Sequence, residues 1–187
     1  MYTLLLVDDE EDVIEVIERK VSWEQIGFHV VGHAGNGFKA LEMMEDMQPD
    51  VVMTDIRMPY MDGLELCSNI RQRFPATKLL LFTGFDDFEY AKEAVHLEIE
   101  EYILKPLNLA EITEVFKKLK TKLDDELNEK KNTDILKQYY AASLPVLQSN
   151  FYTTLIEGRI PENELGRYMR DYKIVLEGPY YCCIIIH

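Results

Sequence analysis

Five short apolar runs alternate with amphipathic stretches through the first 122 residues, and each run stops abruptly at turn-forming, polar or charged residues. Leu4 to Val7 runs into Asp8, Asp9 and Glu10, and Phe28 to Ala34 ends at Gly35-Asn36-Gly37. Val51 to Met53 ends at Thr54-Asp55, Lys78 to Phe82 at Thr83, and Tyr102 to Leu104 at Lys105-Pro106. Between them, residues 11–20, Lys39 to Met47, Leu64 to Phe74 and Phe88 to Leu97 read as amphipathic helices, and another helix starts near Leu109. Strands that are apolar throughout and separated by helices predict a parallel sheet covered on both faces, an α/β doubly wound architecture of five strands. Ligands in such sheets bind beyond the carboxyl ends of the strands. Asp8, Asp9, Asp55, Thr83 and Lys105 are therefore expected on one rim.

The remainder of the chain reads differently. Leu109, Ile112, Phe116, Leu119 and Leu123 alternate at three- and four-residue spacing, which fits either packing on the sheet or a coiled-coil seam. Residues 120–131 carry mixed charge and read as a solvated helix, and Pro145 marks a possible break. SNFYTTLIEG reads as a helix, Arg159-Ile160-Pro161 as a turn before another helix, and Gly178-Pro179 as a turn before an apolar strand, YYCCIII. A strand of that kind needs partners for its backbone groups. The expected organisation is thus 1–122 as the α/β domain, 123–148 as a helical linker and 149–187 as an incomplete α+β segment of a longer protein. Met43, Met44, Met47 and Met53 are expected in the core, with Cys182 and Cys183 in a buried strand. Trp23 is expected to pack at the end of the first helix. The four histidines, His29, His33, His96 and His187, form no cluster in the sequence.

Charge and composition narrow the chemistry. With 20 basic and 34 acidic residues the net charge is −14, which argues against clamping nucleic acid. No apolar run is long enough for a membrane span, the start lacks the basic region of a signal peptide, and the three cysteines suit a reducing cytoplasm. Three carboxylates at one rim raise one another's pKa unless a cation intervenes. An all-oxygen donor set suits Mg²⁺ or Mn²⁺. A carboxylate there can also act as a nucleophile towards phosphorus, with Lys105 and Thr83 holding the other phosphoryl oxygens. A phosphatase of the haloacid-dehalogenase type also uses Asp and Mg²⁺, but needs a second acid two residues after its nucleophile. Arg57 occupies that position.

LLLVDDE, TDIRMPYMDG, LFTG and YILKP, in this order and spacing, resemble the receiver domain of two-component response regulators over residues 1 to about 122. The resemblance implies a flavodoxin-like sheet in the order 2-1-3-4-5 and a role as a signalling switch, not an enzyme. It implies Asp55 as phospho-acceptor, and Asp9 as direct Mg²⁺ ligand with Asp8 bound through water. It further implies the backbone carbonyl of Arg57 as metal ligand, Thr83 and Tyr102 as switch residues, Lys105 as the phosphoryl-holding lysine, and Pro106 as a cis-prone proline. Arg57 and Phe85, two residues after Asp55 and Thr83, are implied as tuners of phosphate lifetime. The expected partners are a sensor histidine kinase and a second copy of the chain in a phosphorylation-favoured dimer. SWEQIGF, GFDDFEYAKEA and SLPVLQSNFYTTLIEG further resemble YesN-like regulators, which end in an AraC-type helix-turn-helix pair. The chain ends before any recognition helix, so transcription regulation through DNA is expected of the parent protein only. The alternative is a pseudo-receiver that works as a phosphorylation-independent dimerisation module.

Overall fold

Strands β1 (Tyr2–Val7), β2 (Phe28–Ala34), β3 (Val51–Asp55), β4 (Lys78–Thr83) and β5 (Glu101–Leu104) form one parallel sheet in the order β2-β1-β3-β4-β5. The helices are α1 (Glu11–Lys20), α2 (Trp23–Ile26), α3 (Gly37–Met47), α4 (Gly63–Arg73), α5 (Leu109–Ile156) and α6 (Glu162–Asp171). This computed structural model describes residues 1–84, 95–106 and 108–175. The expected helix at Phe88–Leu97 lies largely outside the described residues. Phe85, Gly178-Pro179, Cys182, Cys183 and the terminal apolar run lie wholly outside them. The chain divides into two units, Met1–Asp125 and Glu126–His187.

In the first unit, strand alternation sends Leu4, Leu6, Met53, Leu80, Phe82 and Ile103 to one face. Leu5, Val7, Val52, Leu79 and Leu81 go to the other. Both faces are buried, which is why the strands are apolar throughout. Ile14 and Ile17 of α1 cover the first face together with Ile112, Phe116, Leu119 and Leu123 of α5. Ala40 and Met44 of α3, with Leu66, Cys67 and Ile70 of α4, cover the second. The α5 stripe is therefore spent on the sheet, and its spacing reflects core packing rather than a coiled-coil seam. Trp23 meets Phe116 edge-on at 4.7 Å between ring centres, and Phe116 meets Phe28 at 5.0 Å. The Trp23 indole N–H donates to the Ile17 carbonyl at 3.2 Å. Asn36 and Asp62 cap α3 and α4, accepting from Lys39 N–H at 2.9 Å and Glu65 N–H at 2.8 Å. Each cap is worth about 1 kcal/mol.

Three features depart from the sequence expectation. Met47, in the last turn of α3, is exposed rather than in the core. Trp23–Ile26 forms a one-turn helix of its own. Helix α5 continues through Pro145, although a proline removes one intrahelical hydrogen bond. In the second unit, Phe151 is buried with its ring 6.4 Å from that of Tyr172, and Tyr168 lies 5.6 Å from Tyr172. The Tyr140 hydroxyl donates to the Asp171 carbonyl, and Gln148 Nε2 to the Tyr172 carbonyl at 3.0 Å. Among the described residues, no helix is long and apolar enough to cross a membrane.

The lead into β5 is fixed by an ion-pair cluster. Glu100 meets Lys122 at 2.6 Å and Lys78 at 3.4 Å. Burial works against the Glu100 carboxylate, but the bond to Lys122 and the charges of both lysines outweigh it and hold its pKa below the usual range. A carboxyl lowered on folding stabilises the fold above its unfolded pKa, and that stability is lost as pH falls through the folded value. The stability gap between wild type and Glu100→Gln should thus be widest near pH 7 and close as the solution is taken below the ordinary glutamate range. Urea midpoints at the two ends of that range measure it; a gap independent of pH would contradict the assignment.

Candidate functional site

Strand register assembles the site. Val7 pairs with Ala34 and Thr54, Asp55 with Phe82, and Thr83 with Leu104. Asp8, Asp55, Thr83 and Lys105 therefore stand at or one residue beyond the carboxyl ends of four neighbouring strands. Two backbone bonds tie the rim together: Asp8 N–H to the Ala34 carbonyl at 3.1 Å and Lys105 N–H to the Thr83 carbonyl at 2.7 Å. The Lys105–Pro106 peptide is cis.

The side chains converge as the sequence predicts. Asp8, Asp9 and Asp55 each offer a carboxylate oxygen, and the three lie within 4.8 Å of one another. Asp8 is fully buried, Asp55 is 6% exposed, and Asp9 faces outward. Lys105 Nζ sits 3.2 Å from Asp8 Oδ2, 3.5 Å from Asp55 Oδ2 and 3.7 Å from Glu10 Oε1. The other Asp8 oxygen, Oδ1, accepts the Glu10 N–H at 2.8 Å, so Asp8 also holds the start of the β1–α1 turn.

One ammonium thus faces an excess of buried carboxylate. Burial raises the Asp8 carboxyl above the usual range, against the Glu10 N–H and the Lys105 charge. Burial also raises Asp55, with Lys105 opposing and the Asp8 charge adding to it. Lys105 lies above its ordinary value, because Asp8 and Asp55 outweigh its own burial. Asp55 Oδ1 is buried with no hydrogen-bond partner among the described residues. A buried, unpartnered carboxylate oxygen beside two further acids fits a hard divalent cation, whose ligands are oxygens. Mg²⁺ or Mn²⁺ is the matching class.

Thr83 is fully buried at the end of β4. Tyr102 pairs in register with Leu81, which places it on the same sheet face as Thr83, half-buried against Leu79, Leu81 and their neighbours. Arg57 is exposed in the loop after β3. Phe85 is outside the described residues. His29 and His33 lie along β2, the edge strand beside β1, and are not part of the group of potential metal ligands Asp8, Asp9 and Asp55.

Three contributors were not singled out from the sequence. Gly63 opens α4 against the Asp55 backbone: its N–H donates to the Ile56 carbonyl at 2.8 Å. A Cβ there would overlap the Asp55 carbonyl oxygen and lie 2.9 Å from the Asp55 carbonyl carbon. Phe82 places its ring 5.1 Å beneath Lys105 Nζ, a cation–π seat for the ammonium. Glu10 adds a third acid to the lysine's surroundings, beside Asp8 and Asp55. The Asp-Gly pair at 62–63 was a signal for a tight helix start, but a close backbone approach across the loop is visible only in three dimensions.

A family model described as "Response regulator receiver domain" matches residues 4–117. The chain is similar to "Uncharacterized transcriptional regulatory protein YesN" of Bacillus subtilis, 37% identical over 137 residues, covering 73% of this chain and 37% of that protein. It is similar to "Transcriptional regulatory protein HptR" of Staphylococcus aureus, 26% identical over 164 residues, covering 87% of this chain and 64% of that protein. Among solved structures, the REC domain of AraT, a response regulator from Geobacillus stearothermophilus, superposes with a TM-score of 0.64 at 36% identity. That match covers 67% of this chain and 98% of the other. The chain thus spans between 37% and 64% of the length of these two curated relatives.

Proposed function

The chain belongs to the response regulator receiver domain family, and from that membership we propose that it is the phosphorylatable switch of a cytoplasmic two-component system. Asp55 is the phospho-acceptor in this reading. The observation that carries it is the rim itself: an unpartnered buried Asp55 oxygen, two further carboxylates within 4.8 Å, and an ammonium 3.5 Å away.

The reaction proposed is phosphoryl transfer from the phosphohistidine of a sensor kinase. A P–O bond forms at an Asp55 carboxylate oxygen as the donor's P–N bond breaks, and the imidazole leaves with that electron pair. Hydrolysis by water later returns Asp55 and inorganic phosphate. Asp8, Asp9, Asp55 and the backbone carbonyl of Arg57 are the residues that would hold Mg²⁺ or Mn²⁺. The bound ion would neutralise charge on the carboxylate and phosphoryl oxygens. Lys105, seated on Phe82, supplies positive charge to the phosphoryl group, and the Thr83 hydroxyl donates to one of its oxygens. Drawing Thr83 towards the phosphoryl group changes the packing next to Tyr102 on the same face. A local hydrogen-bond change thereby becomes a shift between two packings, which favours a dimer. Arg57 and Phe85 tune the phosphate lifetime. The parent protein regulates transcription, in keeping with the names of the two relatives, and does so in this reading through an AraC-type DNA-binding part. No substrate other than its own phosphoryl donor is involved, so the chain is a switch and not an enzyme.

Incubating the full chain with Mg²⁺ and acetyl phosphate tests this. Intact mass should show one phosphoryl adduct that chelator prevents, with solution mass rising towards that of a dimer. An unmodified chain would remove the phospho-acceptor reading and favour a phosphorylation-independent dimerisation module.

A further inference from the structure

Helix α5 carries a second apolar stripe beyond the one spent on the sheet. Ile135, Tyr139, Ala142, Val146 and Ile156 lie on it, and Asn128, Asn132, Ser149 and Thr153 fill its remaining positions. These nine residues alternate at four- and three-residue spacing, and every one of them is exposed. Tyr139 is 71% exposed and Val146 61%. The opposite face of the same stretch is already taken. Leu144, Leu147 and Leu155 are half-buried and Phe151 is buried, and Tyr140, Gln148 and Phe151 meet Asp171 and Tyr172 at the end of α6.

A helix packed on one side needs one apolar face, and this one has two. The seven-residue repeat of the exposed stripe is that of a seam between two helices, where side chains of one enter gaps in the other. The order of residues along it fits a second copy running in the opposite direction. Tyr139 then falls opposite Ala142 of that copy and Ile135 opposite Val146, while Asn132 falls opposite Ser149 and Asn128 opposite Thr153. A large ring meets a small residue at the centre, branched meets branched beside it, and amide meets hydroxyl further out. Two-fold symmetry makes each match twice. Charge points the same way. Asp125, Glu126, Glu129 and Asp134 outnumber Lys130 and Lys131, whereas residues 138–156 hold no charged side chain. Two parallel copies would set the acidic segment against itself, and two antiparallel copies set it over the uncharged one.

We propose that this stripe is an interface between two copies of the chain, paired through antiparallel α5 helices in that register. The pairing needs neither metal nor phosphoryl group, so failure of the switch reading leaves it untouched. Only Ile135, Tyr139, Val146 and Ile156 are large apolar residues among the stripe's positions. The association is therefore weak and belongs to high chain concentration, separate from the dimer that phosphorylation is proposed to favour.

Sedimentation equilibrium of the full chain in chelator, from micromolar to millimolar concentration, tests this. The wild-type mass should rise from one chain towards two. Tyr139→Glu enters a two-fold seam twice and should weaken association at least about tenfold, with an unchanged circular dichroism spectrum because the side chain is exposed. Lys137→Gln, off the stripe, should leave association unchanged. Asn132→Asp combined with Ser149→Lys sets opposite charges across an antiparallel pair and like charges across a parallel one, so it should associate at least as tightly as wild type. Wild type that stays a single chain at every concentration overturns the proposal and leaves the stripe to a different protein. A wild-type dimer that Tyr139→Glu does not weaken overturns it too, because the copies then meet elsewhere. Weaker association of the double variant overturns the antiparallel pairing.

Discussion

Asp55→Asn should lose the phosphoryl adduct entirely and yet, in metal-free buffer, melt at a higher temperature than wild type. Asp55 is buried among Asp8, Asp9 and the lysine that must serve all of them. Removing one carboxylate relieves like-charge repulsion and a desolvated charge, while Lys105 keeps Asp8 at 3.2 Å and Glu10 at 3.7 Å. Sites whose charges are kept together for function commonly stabilise by about 1 kcal/mol when such a group is neutralised, roughly 2–4 °C for a protein of this size. Saturating Mg²⁺ should reverse the order. A ligand bound only to the folded protein adds about 2.7 kcal/mol at a hundredfold excess over its Kd, and the variant forfeits one of the ligands. Melting curves of both proteins with and without Mg²⁺ give the four numbers required. Wild type above the variant in chelator would mean that Lys105 attracts Asp55 more strongly than the neighbouring acids repel it.

The second large effect is expected at Gly63. Its missing side chain lets α4 begin against the Asp55 carbonyl, and the atoms a Cβ would meet are backbone: the Asp55 carbonyl oxygen, its carbon at 2.9 Å and Ile56 Cα at 3.0 Å. Backbone cannot swing aside as a side-chain tip can. Gly63→Ala must shift either the start of α4 or the end of β3, at a cost of about 2–3 kcal/mol. Any such shift moves Asp55, the proposed nucleophile, and displacements near 1 Å at a reacting group cost about a hundredfold in rate. Stability and acetyl phosphate reactivity should therefore fall together. Gly166 provides the opposite sign. It lies within α6 with Arg170 Nη1, the end of a flexible side chain, 3.6 Å from a built Cβ. Gly166→Ala should stabilise by about 0.5–1 kcal/mol through helix propensity alone. Chemical denaturation of the two variants decides both, and a neutral Gly63→Ala would show that the helix start is looser than this packing implies.

The rim could be read in advance because strand ends are marked locally. An apolar run that halts at Asp8, Asp55, Thr83 or Lys105 states where its strand stops, and parallel pairing brings such ends together. The sheet order 2-1-3-4-5 came from the resemblance, and the structure shows the same order. What the sequence hid depends on geometry between distant segments. Arg71 bonds carbonyls 26 and 27 residues away, and carbonyls carry no sequence signature. Phe82 looks like any core residue until Lys105 is found over its ring. The α5 stripe from Ile112 to Leu123 fitted two explanations at one spacing, and burial on the sheet separates them. Pro145 predicts a break from its missing N–H, yet the hydrogen bonds on either side of it suffice for the helix to continue.

Reductive trapping shows most directly whether Asp55 is the nucleophile. The full chain is treated with Mg²⁺ and acetyl phosphate, reduced with borohydride, and digested for peptide mass mapping. Borohydride converts an aspartyl-phosphate to homoserine and leaves free carboxylates unchanged. Conversion is expected at position 55 alone, with none in chelator and none in Asp55→Asn. Conversion at Asp8, Asp9 or another acid, or a chain that stays unconverted with Mg²⁺ and donor in excess, would contradict it.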